Sequence, residues 1–105
     1  MADVTSISGA TVLALYKKPA DAAAFDAHYA NTHTPLAKTL PGLKSYTLGR
    51  GGENDPYYLV AILTFESPEA LGAAMQSAEG QKTVADLGNF AQAGVDVLTF
   101  ANVPA

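Results

Sequence analysis

The sequence predicts an α+β fold of order β-α-β-β-α-β, a ferredoxin-like four-stranded antiparallel sheet with its helices on one face. Three observations carry this. Four stretches have strand patterning, two helical stretches each open on a capping residue, and Gly- or Pro-rich breakers separate them. The 105 residues suit one domain, 1–105, with residues 1–10 as a loose lead-in.

The first strand runs from Thr11 to Tyr16, where Thr11, Leu13 and Leu15 alternate with Val12, Ala14 and Tyr16. Lys17-Lys18-Pro19 closes it, and the alanine-rich stretch from Asp21 is helical by propensity, with Asp21 placed to cap it. Phe25, Tyr29, Thr32, Leu36 and Leu40 recur at spacings of three and four, which predicts one buried helical face. Pro35 cannot donate to the Asn31 carbonyl, so the helix is expected to kink or restart between Asn31 and Thr34. Pro41-Gly42 ends it.

A second strand spans Leu43 to Gly49, followed by the polar turn Arg50 to Pro56. The third strand, Tyr57 to Glu66, is dense in aromatic and β-branched residues. Ser67-Pro68-Glu69 supplies a capping hydroxyl, a first-turn proline and an acid to open the second helix. Its stripe is Ala70, Leu71, Ala74, Met75 and Ala78, and Gly80 is expected to end it. Gln81 to Phe90 reads as a short helix or loop before a last strand, Gly94 to Val103.

Both faces of the strands are apolar. In the third strand Tyr57, Leu59, Ala61, Leu63 and Phe65 oppose Tyr58, Val60 and Ile62, and in the fourth Val95, Val97 and Ala101 oppose Leu98 and Phe100. A sheet with one wet side alternates apolar with polar. Two helices cover one face, so the second face calls for another copy of the chain, a homodimer closing into an α+β barrel. The alternative is a monomer shielded by its lead-in.

The net charge of −4, without a basic run, argues against nucleic acid as partner. The absence of cysteine removes thiolate metal sites and cysteine nucleophiles. The longest apolar run, Tyr57 to Phe65, is too short to span a membrane at roughly 20 residues, and no secretory leader is visible, so a cytoplasmic protein is expected.

Both histidines lie in Phe25 to Leu36. His28 and His33 stand about 140° apart on an ideal α-helix, which disfavours a shared metal, and His28 reads as a flank or surface residue. His33 sits at the interruption beside Pro35 and is the candidate general acid/base, with Tyr29 one turn earlier to orient it or bond a substrate oxygen. The competing reading is a histidine satisfied by backbone at the kink. Tyr16 and Tyr46 are candidate pocket residues, polar-tipped and otherwise apolar. Gly49-Arg50-Gly51-Gly52 leads into a strand and lacks dinucleotide-loop spacing, so no cofactor is expected.

The run Phe25-x-x-x-Tyr29-x-x-x-His33-x-Pro35-Leu36 resembles the signature of the EthD family of dimeric α+β barrel proteins. The resemblance extends from about Thr11 to Val103. It takes in Pro41-Gly42-Leu43, the Tyr-rich third strand running into Phe65-Glu66-Ser67, and Asp86-Leu87-Gly88-Asn89-Phe90, where the family usually has proline in place of Gly88. It implies a homodimer with one cleft per subunit, a pocket histidine at His33, and Tyr29, Asn89 and Phe90 nearby. Members are often labelled reductases or linked to degradation of ethers and other small organics. Relatives in the superfamily include cofactor-free monooxygenases, isomerases, dehydratases and haem-binding enzymes, among which fold does not choose. Two readings stand: an enzyme moving protons on a small hydrophobic oxygenated compound without a nucleotide, or a non-catalytic binding or accessory protein. Haem binding through His33 is a third.

Overall fold

The computed structural model describes residues 8–105. Its elements are β1 (Gly9–Lys17), α1 (Ala22–His28), a π-helical turn (Tyr29–His33), α2 (Thr34–Lys38), β2 (Leu43–Arg50), β3 (Tyr57–Phe65), α3 (Pro68–Gln76), α4 (Ala78–Phe90) and β4 (Val95–Asn102). The sheet is antiparallel with strand order β2-β3-β1-β4, so the α+β ferredoxin-like expectation holds. Of the expected lead-in, residues 1–7 lie outside the described residues, whereas Gly9 and Ala10 already pair with Asn102 and Ala101 as strand.

The first helix has the expected cap, with Ala24 N–H donating to the Asp21 carboxylate at 3.0 Å. The expected interruption is also present, in a particular form. Thr34 N–H bonds the Tyr29 carbonyl, five residues back, just before Pro35 removes the donor that Asn31 would have used. The extra residue in this turn rotates everything after it. The buried face therefore reads Phe25, Tyr29, His33, Ala37 and Leu40, correcting the expected stripe at Thr32, which is exposed, and Leu36, which is only half-buried.

Two further expectations change. Ser77 has extended backbone, ends α3 and caps α4 through its hydroxyl, so Gly80 lies in the first turn of α4 and terminates nothing. The segment before β4 is a 13-residue helix rather than a short segment. Gly80 is required by packing. A Cβ there would stand 2.2 Å from the Ala74 carbonyl oxygen, the point where α4 turns back against α3.

Leu59, Ala61, Leu63 and Phe65 of β3 join Val12, Ala14 and Tyr16 of β1 beneath the helices. A bulge opposite Tyr16/Lys17 reverses the expected sides of the two leading tyrosines. Tyr58 packs on Phe25 and donates to Asp26, whereas Tyr57 donates to Asp96 across the open face. That open face carries Leu13, Leu15, Val60 and Ile62, half-buried, with Leu98 at 53% and Phe100 at 45% exposed.

Gly80→Ala is expected to lower stability by about 1–3 kcal/mol, a drop of several degrees or more in thermal melting. Gly72→Ala and Gly88→Ala, whose added methyl groups meet nothing within 4 Å, are expected to leave it unchanged or raise it by up to about 1 kcal/mol.

Candidate active site

The rotated helical face delivers Tyr29 and His33 to the space above the sheet. There they meet Tyr16 from β1, Tyr46 from β2 and Asp86 from α4. The resulting cavity is about 60 Å³, and its other walls are mostly apolar, including Val12, Ala61, Leu63, Met75 and Leu87. Val97 and Val84, each about half exposed, flank the opening.

His33 is 4% exposed and bonded at both nitrogens. Its Nδ1 lies 3.0 Å from Oδ2 of Asp86, and its Nε2 lies 3.4 Å from the Tyr16 hydroxyl. A carboxylate only accepts, so the bond to Asp86 places the proton of the neutral ring on Nδ1 and leaves the Nε2 lone pair facing Tyr16 and the cavity. Burial pushes the His33 pKa below the ordinary histidine value, against the opposing pull of Asp86, so the ring is neutral at pH 7.

Asp86 is itself 5% exposed. Burial alone would raise its pKa, but donors from Asn89 at 3.0 Å, His28 and His33 together hold it below the usual carboxylate value. It is a fixed, fully partnered anion behind the imidazole. The hydroxyls form the other polar feature. Tyr29 and Tyr46 meet at 2.5 Å, and burial raises the pKa values of Tyr16, Tyr29 and Tyr46, so all three are neutral donors at pH 7.

Four of the expected site residues, His33, Tyr29, Tyr16 and Tyr46, thus meet in one cavity. Asn89 and Phe90 lie on α4 and line a separate outer groove, although the Phe90 ring packs on His33 at 4.8 Å between centroids. His28, expected at the flank or surface, keeps 28% of its side chain exposed but has a buried partner. The wider turn brings it round to Asp86, 2.9 Å from Oδ1. Sequence reasoning assigns Asp86 no role of its own, and its one signal is the run Asp86 to Phe90. Among the described residues, no group of three His, Asp or Glu side chains is arranged to hold a metal ion, and no helix is long and apolar enough to cross a membrane.

The EthD domain matches residues 17–94. An uncharacterized 11.0 kDa protein of Rhodococcus erythropolis, from the thcB-thcC intergenic region, is 42% identical over 91 residues, covering 83% of this chain and 88% of that one. The crystal structure of an ethyl tert-butyl ether D (EthD) family protein from Bacillus halodurans is similar at TM-score 0.84 and 31% identity, covering 90% of this chain and 99% of that one. A dimeric ferredoxin-like protein of unknown function from Thermobifida fusca shares the fold at TM-score 0.70 and 13% identity, covering 97% and 99%.

The buried pair makes stability pH-dependent. The folded pKa of His33 lies below its unfolded value near 6.5, so the unfolded chain binds more protons as pH falls through that value. The contribution is present above about pH 6.5 and lost below it. Asp86, also lowered, keeps its contribution above its unfolded value near 3.9 and loses it in stronger acid. The urea midpoint is expected to fall between pH 7.5 and 5, and His33→Gln, which cannot charge, is expected to flatten that fall. An equal fall in both proteins contradicts the assignment.

Proposed function

The chain belongs to the EthD domain family, and on that premise we propose that it is an enzyme in which His33 takes a proton from a small, hydrophobic, oxygen-bearing organic molecule held in the cavity. The observation that carries this reading is the buried His33–Asp86 pair, whose unprotonated Nε2 meets the Tyr16 hydroxyl in a chamber with mostly apolar walls. A histidine satisfied only for packing would have no need of a buried anion behind it.

His33 is the general base. Low pKa keeps Nε2 unprotonated at neutral pH, and Asp86 stabilises the imidazolium that forms as the proton arrives. Tyr16, 3.4 Å from Nε2, donates to negative charge developing on a substrate oxygen, and the Tyr29–Tyr46 pair offers a second donor across the cavity. The apolar walls exclude water and strengthen both effects. Returning the proton to another atom of the same molecule isomerises it, and delivering it to a departing hydroxyl releases water. A carbanion left in the cavity is also open to direct attack by oxygen. These outcomes use the same residues and need no nucleotide, so none of them calls for the reductase label common in the family. The role fits catabolism of small organic compounds in the cytoplasm.

The working unit in this reading is a homodimer. Leu98 and Phe100, about half exposed on the open sheet face beside half-buried Leu13, Leu15, Val60 and Ile62, form an apolar surface that a second copy would cover. Each large side chain contributes roughly 1.5–3 kcal/mol when fully buried.

His33→Ala is expected to reduce turnover of a hydrophobic enolisable substrate by about 10²–10⁴-fold while ligand affinity changes only a few-fold. Retained turnover would contradict the base role. An intact protein that binds such ligands and turns over none would favour a binding or accessory protein. Sedimentation is expected to give twice the 10.8 kDa protomer mass, and Leu98→Asp with Phe100→Asp to give single protomers.

A further inference from the structure

A groove of about 530 Å³ lies between the start of α1 and the end of α4, on the outer side of Asp86. His28 stands in it with 28% of its side chain exposed, while the Asp86 and His33 side chains behind it are each 5% exposed. The carboxylate holds both rings, and His28 Nε2 also reaches the oxygen that His33 uses, at 3.1 Å. Oδ1 accepts from His28 Nε2 at 2.9 Å, and Oδ2 accepts from His33 Nδ1 at 3.0 Å. Phe90 packs against both imidazoles, at 5.1 and 4.8 Å between centroids.

We propose that His28 is a positioning residue for His33: through the Asp86 carboxylate they share, its own charge, set by the solvent in the outer groove, governs the basicity of the imidazole in the cavity. One carboxylate neutralises one imidazolium. A proton on either ring therefore makes a proton on the other harder to hold, and the two titrate as a pair. His28 stands in the open outer groove, whereas His33 is enclosed. When it is charged, Asp86 is already matched and His33 stays neutral. When it is neutral, the anion is free to stabilise the imidazolium that His33 becomes on taking a proton.

The titratable groups facing the pair are few. Asp86 comes from α4, Tyr16 from β1 meets His33, Tyr29 precedes it by one turn, Tyr46 from β2 lines the cavity, and Asp21 lies at the groove rim. Burial keeps the three tyrosines neutral, and Asp21 is occupied in capping α1. Asp86 is thus the charged group bonded to both rings.

The test is imidazole NMR titration of the intact protein, in which His28 and His33 are the two histidines. His28→Gln keeps a neutral donor for Oδ1 and removes the charge. The wild-type His33 signal is expected to titrate in two steps, and in His28→Gln in one step with its midpoint about 0.5–1 pH unit higher. Asn89→Ala, which removes a neutral donor from the same oxygen, is expected to keep the two-step curve. Identical His33 curves in wild type and His28→Gln overturn the proposal. The role in catalysis rests on His33 being the working base, and there the acid limb of kcat/KM is expected to move upward with the NMR midpoint. A shifted titration in a protein without turnover contradicts the base reading and supports the coupling.

Discussion

One residue too many in a single helical turn determines what this fold presents to its cavity. Had α1 continued as a regular α-helix, the residues three and four after Tyr29 would both have lain near its face, and Thr32 would have competed with His33 for the inward position. The bond from Thr34 N–H to the Tyr29 carbonyl instead spans five residues and turns His33 inward. The same turn swings His28 round to the carboxylate that His33 uses. Pro35 makes the arrangement tolerable, because a turn that lacks one donor has less to lose by winding wide.

Asp86 is the second constraint. A buried anion is costly unless its oxygens are occupied, and here three side-chain donors occupy them. α4 exists to hold this group as much as to cover the sheet. Its N-terminus is locked against α3 by Ser77 and Gly80, and its C-terminal turn carries Asp86, Asn89 and Phe90 together against α1 and the π turn. The polarity of the site is concentrated on one side, where imidazole and hydroxyls meet, and the remaining walls are mostly apolar. Such a division suits a ligand with one oxygenated end and an apolar body.

Much of the fold was legible in the sequence because each element announces itself locally. Asp21 and Ser67 cap as expected, the aromatic and β-branched run of β3 forms its strand, and Gly51-Gly52 lies in the hairpin turn. What escaped depended on events outside the local pattern. Helical phase after Tyr29 could not be read by counting in threes and fours, since a single inserted residue shifts the count. The sides of Tyr57 and Tyr58 were reversed because a bulge leaves no mark in an apolar run. Gly80 looked like a stop because glycine commonly ends helices, whereas here its missing Cβ admits the Ala74 carbonyl. His33 and Tyr29 were legible as site residues from the interruption and the family resemblance. Asp86 was not, since it lies 53 residues from its partner and only the tertiary fold joins them.

The tautomer of His33 tests the account most directly. If Asp86 accepts from Nδ1 and the Nε2 lone pair faces Tyr16 and the cavity, ¹⁵N spectra of the imidazole at pH 7 will show a protonated Nδ1 and an unprotonated Nε2. A ring protonated at Nε2, or at both nitrogens, would contradict it, because no base would then face the cavity.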